Sequence, residues 1–262
     1  RTRWLGAVTK RQPLLPRPFV DDIRVQLDQQ LADIEKQKKQ ILDNGGDLSA
    51  FPEIDTDFDA LFLQFKQLEV MQKDGYRLSA HNGELGRNPH TRSLIEVKQA
   101  LLEAFQNGES LKDRDFACID LSNQDLTGID LEGAYLEQVN FTGAVLNNAN
   151  LKNAILAGAN LSRAAINTAD LSGANLGKVD FSNTSLKNTN LKQAILDESR
   201  FHKTVFGHCD LSQTAITDAS FSEVDFSHST MNHFSVSEQD LSSCRFDHCQ
   251  LNDASFTQCQ LN

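Results

Sequence analysis

Ala149-Asn150-Leu151-Lys152-Asn153, Ala154-Ile155-Leu156-Ala157-Gly158, Ala159-Asn160-Leu161-Ser162-Arg163: written in fives, the middle of this chain falls onto itself. Followed outward, the bulky apolar residue recurs at every fifth place from Phe116 to Leu261, which is 30 successive positions with no polar residue and no insertion. A period of five fits neither a helix nor a flat strand. It requires a backbone that turns a corner in every quintet and returns the same side chain to an inner axis.

A second register supports the first. Two places before the bulky residue stands a small one, as in Ala134, Ala144, Ala154, Ala164, Ala174, Thr184, Ala194 and Ser199. Between the two is often Asp or Asn: Asp120, Asp130, Asn140, Asn150, Asn160, Asp170, Asp180 and Asn190. The unit Ala-(Asp/Asn)-Leu-x-x resembles the pentapeptide-repeat family. That resemblance implies a right-handed quadrilateral β-helix with about 20 residues per turn, which makes the chain mainly β, with an N-terminal region whose own spacing reads as α-helical. It makes Phe116, Leu121, Leu131, Phe141, Leu151, Leu161, Leu171, Phe181, Leu191, Phe201, Leu211 and Phe221 part of the repeat core.

Proline and glycine agree with this reading. Pro13, Pro16, Pro18, Pro52 and Pro89 all lie outside the repeat, where no ladder donor is lost. Gly128, Gly133, Gly143, Gly158 and Gly173 fall two places after the bulky residue, at the expected corner, where a positive φ favours glycine. Coils stacked at about 4.8 Å would form a rod roughly 36 Å long.

The formal net charge is −11, of which −2 lies in residues 1–110 and −9 in 111–262. Such a chain is not expected to grip nucleic acid through phosphate neutralisation. No apolar run is long enough to span a membrane, and no signal-peptide pattern opens the chain. Four of the five cysteines, Cys209, Cys244, Cys249 and Cys259, sit in the small inward register, with Cys118 outside it. They read as small core residues in a reducing, cytoplasmic setting rather than as a disulfide framework.

The first 110 residues are a different object. Residues 1–19 are basic and proline-punctuated and read as a linker or strap. The chain opens at Arg1 rather than Met, so it reads as a piece of a longer protein. Residues 20–110 form a helical region. One helix is expected over 20–43 from Ile23, Leu27, Leu31, Ile34 and Ile41, with Asn44-Gly45-Gly46 as its stop. A second is expected over 56–73, with Phe58, Leu61, Phe62, Phe65, Leu68 and Met71 packed on one face and Asp74-Gly75 closing it. Residues 76–90 read as a loop, and a third helix is expected over 91–106 from Leu94, Val97, Leu101, Leu102 and Phe105. These helices, about three in all, would cap the β-helix of residues 111–262 and cover its first edge.

No catalytic motif is present: there is no zinc-protease helix, phosphate loop, nucleophile elbow or dinucleotide fingerprint. No enzyme activity and no cofactor are expected. His208, His228 and His248 lie at equal spacing and would stack on one face, a candidate column for a transition metal. His233 would sit on the next corner. Glu198, Asp218 and Glu238 form an acidic column, and Phe234 with Gln239 breaks the small register. These four, Glu198, Asp218, Glu238 and Phe234, are the candidate partner-binding residues.

The expected function is a non-enzymatic protein–protein interaction scaffold. The order of strap, helices and repeats is similar in layout to the C-terminal part of bacterial type VI secretion accessory proteins. That similarity implies an adaptor or chaperone whose partner is an effector or a secretion-spike component. Two alternatives are a DNA-mimicking protector of gyrase and a translocated effector. The gyrase-binding relatives carry long acidic stripes, loop insertions and a terminal dimerising helix. Here the stripe Asp120, Asn140, Asn160, Asp180, Arg200, Ser220, Asp240 is half neutral and interrupted by Arg200. An end-to-end homodimer through the C-terminal coil is a further expectation.

Overall fold

A computed structural model describes residues 20–44, 47, 57–83 and 93–261. The strap at 1–19, Gly45-Gly46 and most of the expected loop, residues 84–90, lie outside these. The chain divides into two compact units, one ending at Tyr76 and the other beginning at Arg77.

In the first unit, α1 spans Val20–Asp43, as its apolar spacing predicts. Leu27, Leu31, Ile34 and Ile41 are half-buried along one side, with Lys38 among them. The second helix, α2, spans Phe58–Ser79. Arg24 of α1 forms an ion pair with Asp59 of α2 at 2.5 Å and lies 5.2 Å over the Phe62 ring. Of the apolar face expected to pack, Phe62 is buried and Phe58 half-buried, whereas Leu61, Phe65, Leu68 and Met71 are exposed.

Two boundary expectations are corrected. Helix α2 does not stop at Asp74-Gly75 but continues through Gly75 to Ser79, and a 3-10 turn over Ala80–Asn82 follows. An internal glycine costs a helix only about 1 kcal/mol. The residues just beyond it, Arg77 to His81, are held by hydrogen bonds described below. The part of 76–90 that was read as loop is therefore partly helical.

The second unit is a β-helix-like stack preceded by α3, Leu94–Gln106. Ser93 caps α3 by accepting from the Glu96 N–H at 3.2 Å, and Glu96 reaches back to the Ser93 N–H, a reciprocal capping box. Leu101 and Ala104 are buried in the same core as Leu111, Phe116, Ile119 and Leu126, so within this unit α3 supplies the cover of the first coil.

Each coil pairs in parallel with the residue 20 places on, from Asp115↔Tyr135 to Asp240↔Gln260. Two such pairings lengthen into short strands: β1 (Arg200–His202) on β2 (Ser220–Ser222), and β3 (Ser235–Ser237) on β4 (Ser255–Thr257). The Leu151 N–H donates to Asp170 O at 2.7 Å, and the Asp170 N–H donates back to Ala149 O at 2.9 Å. Within a quintet the small residue closes a turn on the bulky one, as Ala154 N–H does on Leu151 O at 3.0 Å. The residue between them in the turn has positive φ, as expected at Gly128, Gly133, Gly143, Gly158 and Gly173, but glycine is not required there. The corner is also taken by Asn153, Arg163, Thr168, Lys178, Glu198 and His208, all with φ between 56° and 61°. A single left-handed residue costs of order 1–2 kcal/mol, and the ladder around each corner outweighs it.

The Asp/Asn preference has a local cause. Asp120 Oδ1 accepts the Ser122 N–H at 2.9 Å, and Asn140 Nδ2 from the next coil donates to the same oxygen at 3.0 Å. The arrangement recurs where Asn150 meets Asp130 and Asn190 meets Asp170. Inside, Phe116, Leu121, Leu131, Phe141, Leu151, Leu161, Leu171, Phe181, Leu191, Phe201 and Leu211 are buried, and Phe221 is half-buried. Phe181, Phe201 and Phe221 stack with centroids 5.2 and 5.3 Å apart. Polar members of the small register keep their hydroxyls satisfied in the core. Thr184, Ser199 and Thr204 donate to carbonyls of Leu161, Leu176 and Phe181 at 2.6–2.8 Å. Cys209 follows the same rule toward Leu186 O, and burial pushes its thiol up to about 12.

Candidate functional site

Three features of the second unit could carry recognition. The first lies on the column Tyr135, Ile155, Asn175, Ile195, in the sequence slot that often holds Asp or Asn. Ile155, Ala157 and Asn175 are fully buried although their slots face outward. Against Asn175 and Gly177 sits His81, itself 4% exposed. The Asn175 amide nitrogen donates to Arg77 O and lies 3.1 Å from His81 Nδ1, while its oxygen accepts the Gly177 N–H at 3.0 Å. With Nδ1 accepting, the His81 proton belongs on Nε2, which faces Asp197 Oδ2 at 3.4 Å. Lys178 Nζ donates to His81 O at 2.7 Å, and the Arg77 guanidinium donates to Gly173 O. The notch fits because residue 177 lacks a Cβ: one placed there would lie 2.4 Å from His81 Cβ. The reading of the sequence missed this site. Its signal was the bulky apolar run Tyr135, Ile155, Ile195 in a slot that often holds Asp or Asn, together with Ala157 and Gly177.

The second feature comprises the corner columns. His208, His228 and His248 stack with ring centroids 4.8 and 4.9 Å apart and planes within 9° and 16° of parallel. No group of three or more His, Cys, Asp or Glu suited to a metal occurs among the described residues. His233 instead faces Asp253 at 3.8 Å. Glu198, Asp218 and Glu238 occupy one positive-φ corner column, exposed to solvent, and Lys178 approaches Glu198 at 3.6 Å. Arg200 faces Asp180 at 3.7 Å in the interrupted stripe.

The third feature is a break in the ladder. Phe234 is 2% exposed and packs on Phe226 and Phe256 at 6.5 and 5.9 Å. It therefore presents no surface to a partner, and its expected contact role is corrected. Its consequence lies in the pairing of its own wall and the next. Ile195↔Ala215 and β1–β2 pair normally, as do β3–β4 and Asp240↔Gln260, but no bridge joins 215 to 235 or 220 to 240. A benzyl group where other coils carry Ala, Thr or Cys, followed by half-buried Gln239, is too large for a wall at strand spacing. An open cavity of about 240 Å³ lies between Thr214–Thr217 and Ser235–Ser237.

A family profile described as pentapeptide repeats (8 copies) matches residues 115–147, 134–173, 174–213 and 219–258. No curated protein matches the chain. Among solved structures, HetL, a pentapeptide repeat protein involved in heterocyst differentiation regulation from the cyanobacterium Nostoc sp. strain PCC 7120, is similar at 20% identity over 59% of this chain and 92% of its own, with a TM-score of 0.26. QnrB1, a plasmid-mediated fluoroquinolone resistance protein, is similar at 20% identity over 55% of this chain and 82% of its own, with a TM-score of 0.31. A pentapeptide repeat protein from the Arabidopsis thaliana thylakoid lumen is similar at 29% identity over 44% of this chain and 66% of its own, with a TM-score of 0.25. The repeat profile spans more than half of the chain and coincides with the coils seen in the structure, and this protein belongs to the pentapeptide-repeat family.

Proposed function

We propose that this chain is a non-enzymatic protein–protein interaction scaffold, a right-handed coil of square section whose lateral faces hold other polypeptides. The observation that carries the reading is the seat of Arg77 to His81. One face of the stack already binds a helix end and turn of its own chain through a buried asparagine, a missing Cβ and a lysine on a carbonyl. The same chemistry serves a partner on a neighbouring stretch of wall. Within this reading we favour an adaptor or chaperone for a bacterial type VI effector or spike component, on the layout of strap, helices and repeats. No helix among the described residues is long and apolar enough to cross a membrane. Pairing of two rods through the last coil belongs to the same reading, and the mass of the full chain in solution tests it.

The test is capture from a bacterial host with the chain as bait, followed by binding of the purified partner. A stoichiometric effector or spike protein, bound by the wild type and lost without the repeats, is the expected result. Failure of every purified candidate to bind overturns the proposal. The alternative, mimicry of DNA toward gyrase, draws on the exposed Glu198, Asp218, Glu238 column. Inhibition of supercoiling at low micromolar chain would replace the adaptor reading with that one.

A further inference from the structure

The unzipped seam beside Phe234 is a place where the fold leaves its own backbone chemistry unused. Elsewhere in the stack a wall residue both donates to and accepts from the coil before it, as Ile195 N–H donates to Ala174 O and Ile195 O accepts from Leu176 N–H. Along the seam these bonds are missing among the described residues. The N–H groups of Ile216, Asp218 and Phe221 find no backbone acceptor, and neither do those of Ser235 and Asp240 on the opposite rim. Each rim thus resembles the edge of a sheet, with donors and acceptors in strand order. The rims face one another across two adjacent walls of the same coil.

We propose that this seam is a recognition slot for an extended peptide carrying basic side chains. The peptide would enter as an added strand, parting the rims to about two strand spacings and satisfying both at once. The 240 Å³ opening at Thr214–Thr217 and Ser235–Ser237 is the entry. The charge of the peptide follows from the lips: Asp218 and Glu238 stand at the corner between the two walls, and Asp240 stands at the far end. Arg200 already faces Asp180, and His233 faces Asp253. Phe234 is the wedge that keeps the slot from zipping. This inference deepens the scaffold reading and rests on it, but it names one site and one class of occupant.

The experiment uses the full chain with two fluorescein-labelled, end-capped octapeptides, one alternating Val and Lys and one alternating Val and Glu. Anisotropy gives affinity, and hydrogen exchange follows the amides of 214–221 and 234–241. In the free protein the amides of Ile216, Asp218, Ser235 and Asp240 exchange at least tenfold faster than Ile195 and Leu176. The Lys peptide binds at least tenfold more tightly than the Glu peptide and slows those amides. Asp218→Asn with Glu238→Gln weakens the Lys peptide several-fold while leaving the fold unchanged, and Phe234→Ala closes the seam and abolishes binding. Slow exchange at the seam of the free protein overturns the inference, as does a seam holding only water, which binds neither peptide. A partner captured elsewhere on the stack, with the seam amides unchanged, removes the slot and leaves the scaffold standing.

Discussion

Adding one methyl group at Gly177 should release the segment Arg77–Asn82 from its seat and leave the coils intact. The added Cβ would lie 2.4 Å from His81 Cβ and 2.5 Å from His81 Cγ. Carbon atoms rest at about 3.5–4.0 Å, so the histidine must retreat by roughly 1 Å. Its Cβ is fixed to the main chain, so the whole turn moves with it. Three contacts then fail together: Asn175 to His81 Nδ1, Asp197 to His81 Nε2, and Lys178 to His81 O. At roughly 0.5–1.5 kcal/mol each, the turn loses about 2–4 kcal/mol of local stability. The coil itself accepts the methyl, because Ala157 holds the equivalent place one coil earlier, fully buried. Hydrogen exchange resolves the two effects. Peptides covering 77–83 should exchange at least about 30-fold faster in Gly177→Ala, with peptides of 141–191 unchanged. Gly207→Ala is the control: it occupies the same quintet position, and its added Cβ meets nothing closer than 3.8 Å. It should match the wild type or gain slightly in stability. Unchanged exchange at 77–83 in Gly177→Ala would refute the reasoning, as would an equal loss in Gly207→Ala.

Further outcomes follow from the same geometry. Leu171→Ala, fully buried in the column with Leu151 and Leu191, should lower unfolding stability by about 2–5 kcal/mol in urea titration, more than any exposed corner substitution. Thr189→Val strips the hydroxyl partner from Ile166 O, whereas Thr184→Val leaves Leu161 O still bonded to the Ala164 N–H. The first should therefore cost more, roughly 1–3 kcal/mol against about 1, by thermal or chemical melts. Hydrogen bonds from the backbone N–H and hydroxyl of Ser122 hold Asp120 below the usual carboxylate range, and those from the hydroxyl and backbone N–H of Thr127 do the same for Asp125. Their contribution is complete above the unfolded carboxylate value and is lost as pH falls through the lower folded values. Urea midpoints should thus hold from pH 7 to about 5 and drop below about 4, less steeply in Asp120→Asn. Zinc added to the full chain should leave the melting temperature unchanged, because the stacked His208, His228 and His248 are not part of a group of three or more donors suited to a metal among the described residues; a rise abolished by His228→Ala would contradict this.

The repeat was legible because its cause is repeated at every turn. A bulky residue inside, a small one beside it and a carboxylate or amide gripping the N–H two places on impose the same demand in each quintet. The corner was read too narrowly, since glycine is the cheapest left-handed residue but is not required. A coil fixed by ladder bonds on both sides of Lys178 or Glu198 overrides a local preference. Helix α2 shows the opposite limit. Asp74-Gly75 is a sound local stop signal, and the bonds that carry the chain past it come from Gly173 and Asn175, far away in sequence.

What the period could not locate are the places where one coil differs from its neighbours, and those are where recognition is built. The Arg77–His81 seat depends on Gly177 and on Asn175, the one polar member of the column Tyr135, Ile155, Asn175, Ile195. The seam depends on one phenylalanine in a register of small residues. In a solenoid each coil touches only its neighbours, so an oversized residue cannot be absorbed by the whole molecule. Its strain appears in its own wall and the next, as unmade hydrogen bonds between 214–221 and 235–240. Quintets that keep the rule therefore hold the stack together, and departures from it mark the surfaces left free to bind. By this reasoning Phe234→Ala should restore pairing across that seam while Leu171→Ala opens a void without unpairing any wall. Exchange rates that rise equally in both variants at 214–221 would show that the break does not arise from the wedge.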